Sequence, residues 1–264
     1  MVIAWKAWAF FKRDLLVDLS YKVTFAFQAL DIMVGIGAFY FLARLMGAAT
    51  FQRYQPFPFI LIGVAVNAYM TTSMVCFAQA IKGNQPMGTL KAALATPTSP
   101  VAFVLLSSVY PFFRSAVEAG LYLLGGVLLG LPLARVNVPA VVVVFVLSVL
   151  AFSSIGILSA TFTVVFKRGD PLLWLFGSLS WLLGGVFYPL DVLPRFLQYA
   201  AKLLPITHAL EGMRAAMLGA ASVADLFPQL VVLALFGLVG LPLSLLGFCL
   251  GVRWARVTGT LSHF

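Results

Sequence analysis

The sequence predicts an all-α integral membrane protein. It has six transmembrane helices, an N-terminal amphipathic interface helix, a short helix in one loop and a re-entrant helical hairpin at the outer face. Three observations carry this expectation. Charged residues make up only 9% of the 264-residue chain, against 62% hydrophobic residues, whereas a soluble domain carries about 25% charged residues. Apolar runs long enough to cross a bilayer, about 20 residues each, recur along the chain, and the mean hydropathy is +1.05. The 17 Lys and Arg residues sit mainly at the ends of those runs, where they set topology and touch lipid headgroups. A net charge of +9 placed in this way predicts membrane lipids as partners and no nucleic acid. The expected division is an interface helix at 1–22 and one membrane domain at 23–264.

Residues 2–20 open the chain. At 100° per residue, Trp5, Trp8, Phe11, Leu15, Leu16 and Leu19 share one arc, and Lys6, Arg13, Asp14 and Asp18 lie opposite. Lys12 and Phe10 blur the separation. This pattern predicts a helix in the membrane interface, with Trp5, Trp8, Lys12 and Arg13 as anchors. No cleavable signal peptide is expected, because charges run through the first twenty residues and leave no short apolar core before a cleavage site.

The first span is expected at about 23–46 and contains Asp31; the second follows at about 57–81. Residues 82–99 are the first long break in hydrophobicity. Pro86 and Gly88 open it, and Thr96-Pro97 and Ser99-Pro100 close it, since proline disfavours helix at the residue before it. A short rigid helix at about 86–97, held between two spans, suits docking to another protein. The third span, about 100–130, carries Pro111, Arg114 and Glu118, and the fourth covers about 140–166.

The fifth apolar run, 172–188, is short and contains Gly184-Gly185 before breaking at Tyr188-Pro189. Residues 190–226 are only half apolar. Pro194 and Pro205 punctuate two amphipathic stretches there, Leu193 to Leu204 and Thr207 to Leu218. Together they predict a re-entrant outer segment at about 189–218. Non-helical backbone at membrane depth is tolerated only when buried in protein or lining a cavity, so a constriction is expected near the outer surface. The last span is expected at about 227–251. Six spans place both termini on one side, with ten Lys and Arg residues there against six on the other. Basic residues favour the cytoplasm, so both termini are expected to be cytoplasmic.

Catalysis finds no support in the sequence. It contains no G-x-x-x-x-G-K-[ST], no H-E-x-x-H and no G-x-S-x-G, which are the signatures of phosphate cradling, zinc hydrolysis and acyl transfer. His208 and His263 are far apart, and Cys76 and Cys249 sit in separate apolar runs without metal-ligand spacing. No catalytic residue, metal site or cofactor is therefore assigned to this chain. The ionisable residues inside spans are Asp31, Arg114 and Glu118; each costs about 2.5–3.5 kcal/mol at a helix centre. Arg114 and Glu118 are four apart and can neutralise one another, either as a packing clasp or as a polar lining. The sequence identifies no partner for Asp31.

Two local patterns carry a family resemblance. Gly88-Thr89-Leu90-x-x-x-Leu94-x-Thr96-Pro97 resembles the coupling-helix motif of ABC-2 type transporter permeases, the membrane subunits of bacterial ABC exporters. Phe187-Tyr188-Pro189, Leu193-Pro194 and Leu204-Pro205-Ile206-Thr207, with Arg214 and Leu218-Gly219, are similar to that family's outer-segment signature. Lys91 stands where the family commonly has an acidic residue, reversing one charge at the docking surface. The resemblance implies a permease in the bacterial plasma (inner) membrane that pairs with a second permease copy, as a homodimer. It also implies a separate cytoplasmic ATPase subunit, which carries ATP and Mg, docking through Gly88, Thr89, Leu90, Lys91, Leu94, Thr96 and Pro97. Phe187, Tyr188, Pro189, Leu193, Pro194, Pro205 and Arg214 would form the outer gate, and the cargo would be an amphiphile such as a drug, lipid or lipid-linked glycan. The alternative is a secondary transporter or channel working without an ATPase, which predicts charges spread through several spans. A non-transport membrane enzyme would need a clustered reactive set, which the sequence lacks.

Overall fold

A computed structural model describes residues 2–46, 51, 54–82, 99–132, 136–166 and 171–257. Among the described residues the regular structure is entirely helical. Helix α1 is Val2–Ser20, α2 is Lys22–Met46 and α3 is Pro56–Lys82. Helices α4 (Pro100–Ser107) and α5 (Val109–Leu128) form one nearly continuous rod. Ser99 caps it, its hydroxyl accepting from the Ala102 amide at 3.1 Å, and Pro100 takes the first turn, where its missing N–H is no loss. The rod breaks at Ser108 because Pro111 has no N–H to give the Ser107 carbonyl; the Ser108 hydroxyl bonds the Leu105 carbonyl instead at 2.8 Å.

Helix α6 is Val138–Phe166 and starts under an Asn137 cap, whose side-chain oxygen accepts from the Ala140 amide at 3.3 Å. It therefore begins two residues earlier than hydrophobicity alone predicts, with Pro139 inside its first turn. Helix α7 is Pro171–Leu183. A single 3₁₀ turn, Leu190–Val192, leads to α8, Arg195–Lys202, and α9, Pro205–Leu218. The chain ends in α10 (Phe227–Ala234), a π-helical turn (Leu235–Val239) and α11 (Gly240–Val257).

Among the described residues, five helices are long and apolar enough to cross a membrane: Ala26–Met46, Pro56–Lys82, Pro100–Leu128, Val138–Phe166 and Phe227–Ala255. The fifth apolar run does not make a sixth span of that kind. It forms the 13-residue α7, which rises only about 20 Å, against a hydrocarbon core of about 30 Å. Gly185 ends the rise by adopting φ +73°, a conformation that glycine enters without a Cβ penalty.

Helices α3 and α6 pack along each other at the centre, with α11 on the far flank of α6 and α5 on the flank of α3. They meet closely at Gly156, where a Cβ would lie 2.7 Å from the Ser73 carbonyl oxygen; small residues permit this approach between spanning helices. Two apolar cores result. One, at the α1 end, joins Phe77, Ile81, Phe103, Ile157 and Phe248. The larger, toward the opposite end, joins Ile60, Leu61, Met70, Val144, Ile206 and Leu210. Helix α2 is bound mainly on one side and leaves Phe27, Met33, Val34 and Phe41 exposed.

Candidate functional site

The end of the bundle opposite α1 is built around a buried cation. Arg214 lies on α9 and is only 4% exposed. Its Nε donates to the Phe59 carbonyl at 3.2 Å, Nη1 to the Gly185 carbonyl at 2.8 Å and Nη2 to the Val186 carbonyl at 2.8 Å. The guanidinium also lies over the Phe59 ring, 3.4 Å from its centroid. Burial pulls its pKa down, while the three carbonyls favour the charged form. One side chain thus ties α9, the start of α3 and the turn after α7 together. Gly63 makes room for it: a Cβ there would lie 2.4 Å from both the Arg214 Nη2 and the Val186 carbonyl oxygen.

The rest of the proline-rich segment is fastened by side-chain caps. The Tyr188 hydroxyl bonds the Leu182 carbonyl at the end of α7. Thr207 donates to the Ala201 carbonyl at 2.8 Å, and a ring nitrogen of His208 meets the Lys202 carbonyl at 2.8 Å. Thr207 is a second donor to the Ala201 carbonyl, which also takes the Leu204 amide, and His208 reaches a carbonyl at the C-terminus of α8, so His208 has a structural task that its isolation in the sequence conceals. Phe187 stacks on Trp181 at 5.3 Å and reaches Phe39 of α2 at 6.1 Å. Leu193 packs against the larger core, Pro205 is buried at the start of α9, and Pro194 and Pro189 are N-caps of α8 and the 3₁₀ turn. After α9, the Asp225 carboxylate accepts from the Ser222 amide and hydroxyl at 2.8 and 2.7 Å, which holds its pKa below the usual carboxylate value.

These elements enclose a cavity of about 790 Å³ lined by Phe51, Tyr54, Phe59, the Gly184–Gly185 turn, residues 188–192, Thr207, Glu211, Arg214, Ala215 and Gln229. That volume lies within the ~300–1,000 Å³ of small-molecule sites. Glu211, one turn before Arg214, faces it and is exposed; partial desolvation by the surrounding protein raises its pKa.

A second polar cluster lies at the α1 end. Arg114 pairs through Nη1 with Asp18 of α1 at 2.9 Å, and its Nη2 donates to the Gln28 side-chain oxygen of α2 at 2.7 Å. Gln28 in turn reaches Glu118 at 3.4 Å, and the Tyr110 hydroxyl donates to Asp18. Arg114 therefore takes its ion pair from another helix rather than from Glu118. Helical side chains lean toward the N-terminus of their own helix, which carries the long guanidinium toward α1, one turn away from Glu118. Gln28 and Asp18 were not singled out by sequence reasoning; a polar residue six positions into an apolar run was the available signal. Asp31 is exposed on α2, and the Tyr122 phenol lies within electrostatic reach of both Asp31 and Glu118.

On α1, Trp5 and Trp8 point away from the protein, 77% and 62% exposed. Lys12 is exposed, and Arg13 pairs with Asp14 at 2.7 Å while lying over the Phe10 ring. Phe10 and Phe11 turn inward, against Phe103 and against Tyr110 and Phe113 respectively. The inward face is thus rotated from the arc read in the sequence and includes Asp18. Gly88, Thr89, Leu90, Lys91, Leu94, Thr96 and Pro97 lie outside the described residues, as does His263. No group of three or more His, Cys, Asp or Glu side chains suited to a metal ion occurs among the described residues.

No curated protein matches the chain significantly. The family profile of the ABC-2 type transporter matches residues 3–218, from α1 through the end of α9. With most of its length matched and five membrane-crossing helices in place, the chain belongs to the ABC-2 type transporter family, as a membrane-spanning component.

Proposed function

We propose that this chain is the permease subunit of an ATP-driven exporter, working as a pair of permeases with a separate cytoplasmic ATPase. Family membership supports the ATPase partner. The observation that carries the mechanism is the chain of polar contacts Asp18–Arg114–Gln28–Glu118, which links the interface helix to the first and third spans. A displacement of α1 by a docked ATPase would move α2 and α5 with it, because breaking these contacts strands charges in a region of low dielectric. The ATPase engages residues 86–97. The exposed face of α2, which holds Asp31, meets the second copy, since a carboxylate facing lipid is costly. An amphiphilic cargo leaves through the far end, past the Arg214-fastened turn.

Co-expression with a Walker-motif ATPase should give a stable complex that exports cargo from loaded vesicles only with ATP. Substitutions disrupting residues 88–97 should abolish the complex. Asp18→Asn should preserve the complex and lower ATP-driven transport about tenfold. Transport by the permease alone, without ATP, would overturn the proposal in favour of a secondary carrier.

In the same reading both termini are cytoplasmic and α8 lies outside. A cysteine replacing Gln198, in a background lacking Cys249 and Cys76, should react with a membrane-impermeant maleimide added to intact cells. Reaction only after permeabilisation would reverse the orientation.

A further inference from the structure

We propose that the cavity beside Arg214 is a binding site for an organic cation with an apolar body, one site in each chain. For its place in transport the proposal rests on the permease reading above; for its chemistry it rests on the cavity alone. Tyr54, Phe59 and Tyr188 line the space; the Tyr54 and Phe59 rings lie 6.3 Å apart, and Arg214 already lies over the Phe59 ring. Ring faces attract ammonium groups and apolar surface alike.

The polar groups of the lining are weighted toward acceptors. Glu211 and Asp191 contribute carboxylates. Gln229 hydrogen-bonds Glu211, and its buried side-chain oxygen has no partner among the described residues. An unsatisfied buried acceptor is costly, and an N–H of a bound amine would satisfy it.

The lining cation Arg214 does not reverse this bias in favour of anions. Arg214 spends Nε, Nη1 and Nη2 on the carbonyls of Phe59, Gly185 and Val186 and is 4% exposed. Lys202 and His208 act on Glu211 electrostatically. Neither lines the cavity, and His208 is turned to the Lys202 carbonyl. Among the described residues, an anion entering the space meets two carboxylates and a guanidinium whose three nitrogens are already engaged. Arg214 also acts on Glu211 electrostatically, and Asp191 adds a second carboxylate to the lining.

Two ions of one shape and opposite charge test this directly. Tetraphenylphosphonium and tetraphenylborate are titrated onto the purified full-length chain in nanodiscs, without ATPase or nucleotide, against empty nanodiscs. The phosphonium should bind saturably at one site per chain, and the borate should not displace it. Glu211→Gln should weaken phosphonium binding at least tenfold, and Asp191→Asn should weaken it severalfold. Thermal unfolding of both variants should match the parent, which separates lost binding from lost fold. Equal binding of the borate, or phosphonium affinity unchanged in Glu211→Gln, overturns the proposal. Because no ATP is present, failure of ATP-driven export leaves the site standing, and failure of binding leaves the export reading standing.

Discussion

Arg214→Ala is expected to lower the unfolding temperature of the purified protein by about 10 °C, the largest effect of any single substitution at the cavity end. The cause is the three carbonyls of Phe59, Gly185 and Val186, which share one guanidinium. Removing it strips the Gly185 and Val186 carbonyls of their donor and the Phe59 carbonyl, which lies inside α3, of a second one, at roughly 1–3 kcal/mol for each unsatisfied buried acceptor, and each kcal/mol shifts a chain of this size by about 2–4 °C. Arg214→Lys should recover less than half of the loss. An ammonium keeps the charge, yet it cannot reproduce a planar fork that stacks on a ring while donating in three directions. The Phe59 ring lies 3.4 Å from the guanidinium carbon, so the stacking is lost as well. Fluorescence-detected size-exclusion after a heat ramp measures both variants. A fall of less than 2 °C in Arg214→Ala would show that the turn after α7 holds without its clamp.

The second large effect is expected at the crossing of α3 and α6. Gly156→Ala should destabilise by roughly 1–3 kcal/mol, the usual cost of overpacking a tight interface, and Gly156→Leu should prevent assembly. A Cβ at Gly156 would lie 2.7 Å from the Ser73 carbonyl oxygen, 2.8 Å from that of Met74 and 2.8 Å from the Phe77 ring. Two of those three are backbone atoms of the most buried helix and cannot turn aside. Alanine also gains up to about 1 kcal/mol of helix propensity over glycine, which is too little to offset the clash. Gly120→Ala is the control, because nothing lies within 4 Å of its Cβ position; it should leave the unfolding temperature unchanged or slightly raised. A Gly156→Ala variant as stable as the parent would mean that α3 and α6 slide apart at no cost.

The two glycines show where sequence reading ends. Both lie inside long apolar runs, and nothing local separates the one at a crossing from the one facing open space. The same holds for charges. The four-residue spacing of Arg114 and Glu118 permits a clasp, and the structure gives Arg114 to Asp18 instead. Helical spacing fixes which residues share a face but not which other helix that face meets. The outer segment was legible in part: its prolines mark the breaks, and its resemblance brought Arg214 forward. The burial of Arg214 and its three carbonyl partners was not legible, since those partners lie 28, 29 and 155 residues away. Glu211 and Gln229 were missed for the same reason. Each is an ordinary polar residue on its helix until the fold places both on one cavity.

By itself the sequence determined the solvent. With 9% charged residues the chain cannot present a water-soluble surface, and lipid demands helices that satisfy their own backbone. It also determined the positions of the long apolar helices, because apolar length and proline punctuation are local properties. Tertiary structure alone decided that the fifth run is a 13-residue helix ending in a glycine turn. It also decided that α1 is pinned through Asp18 and that one buried arginine holds the cavity end together. These outcomes depend on pairing between residues distant in the chain, and a bilayer or a buried cavity makes each such pairing obligatory: a charge or carbonyl removed from water must find its partner within the protein.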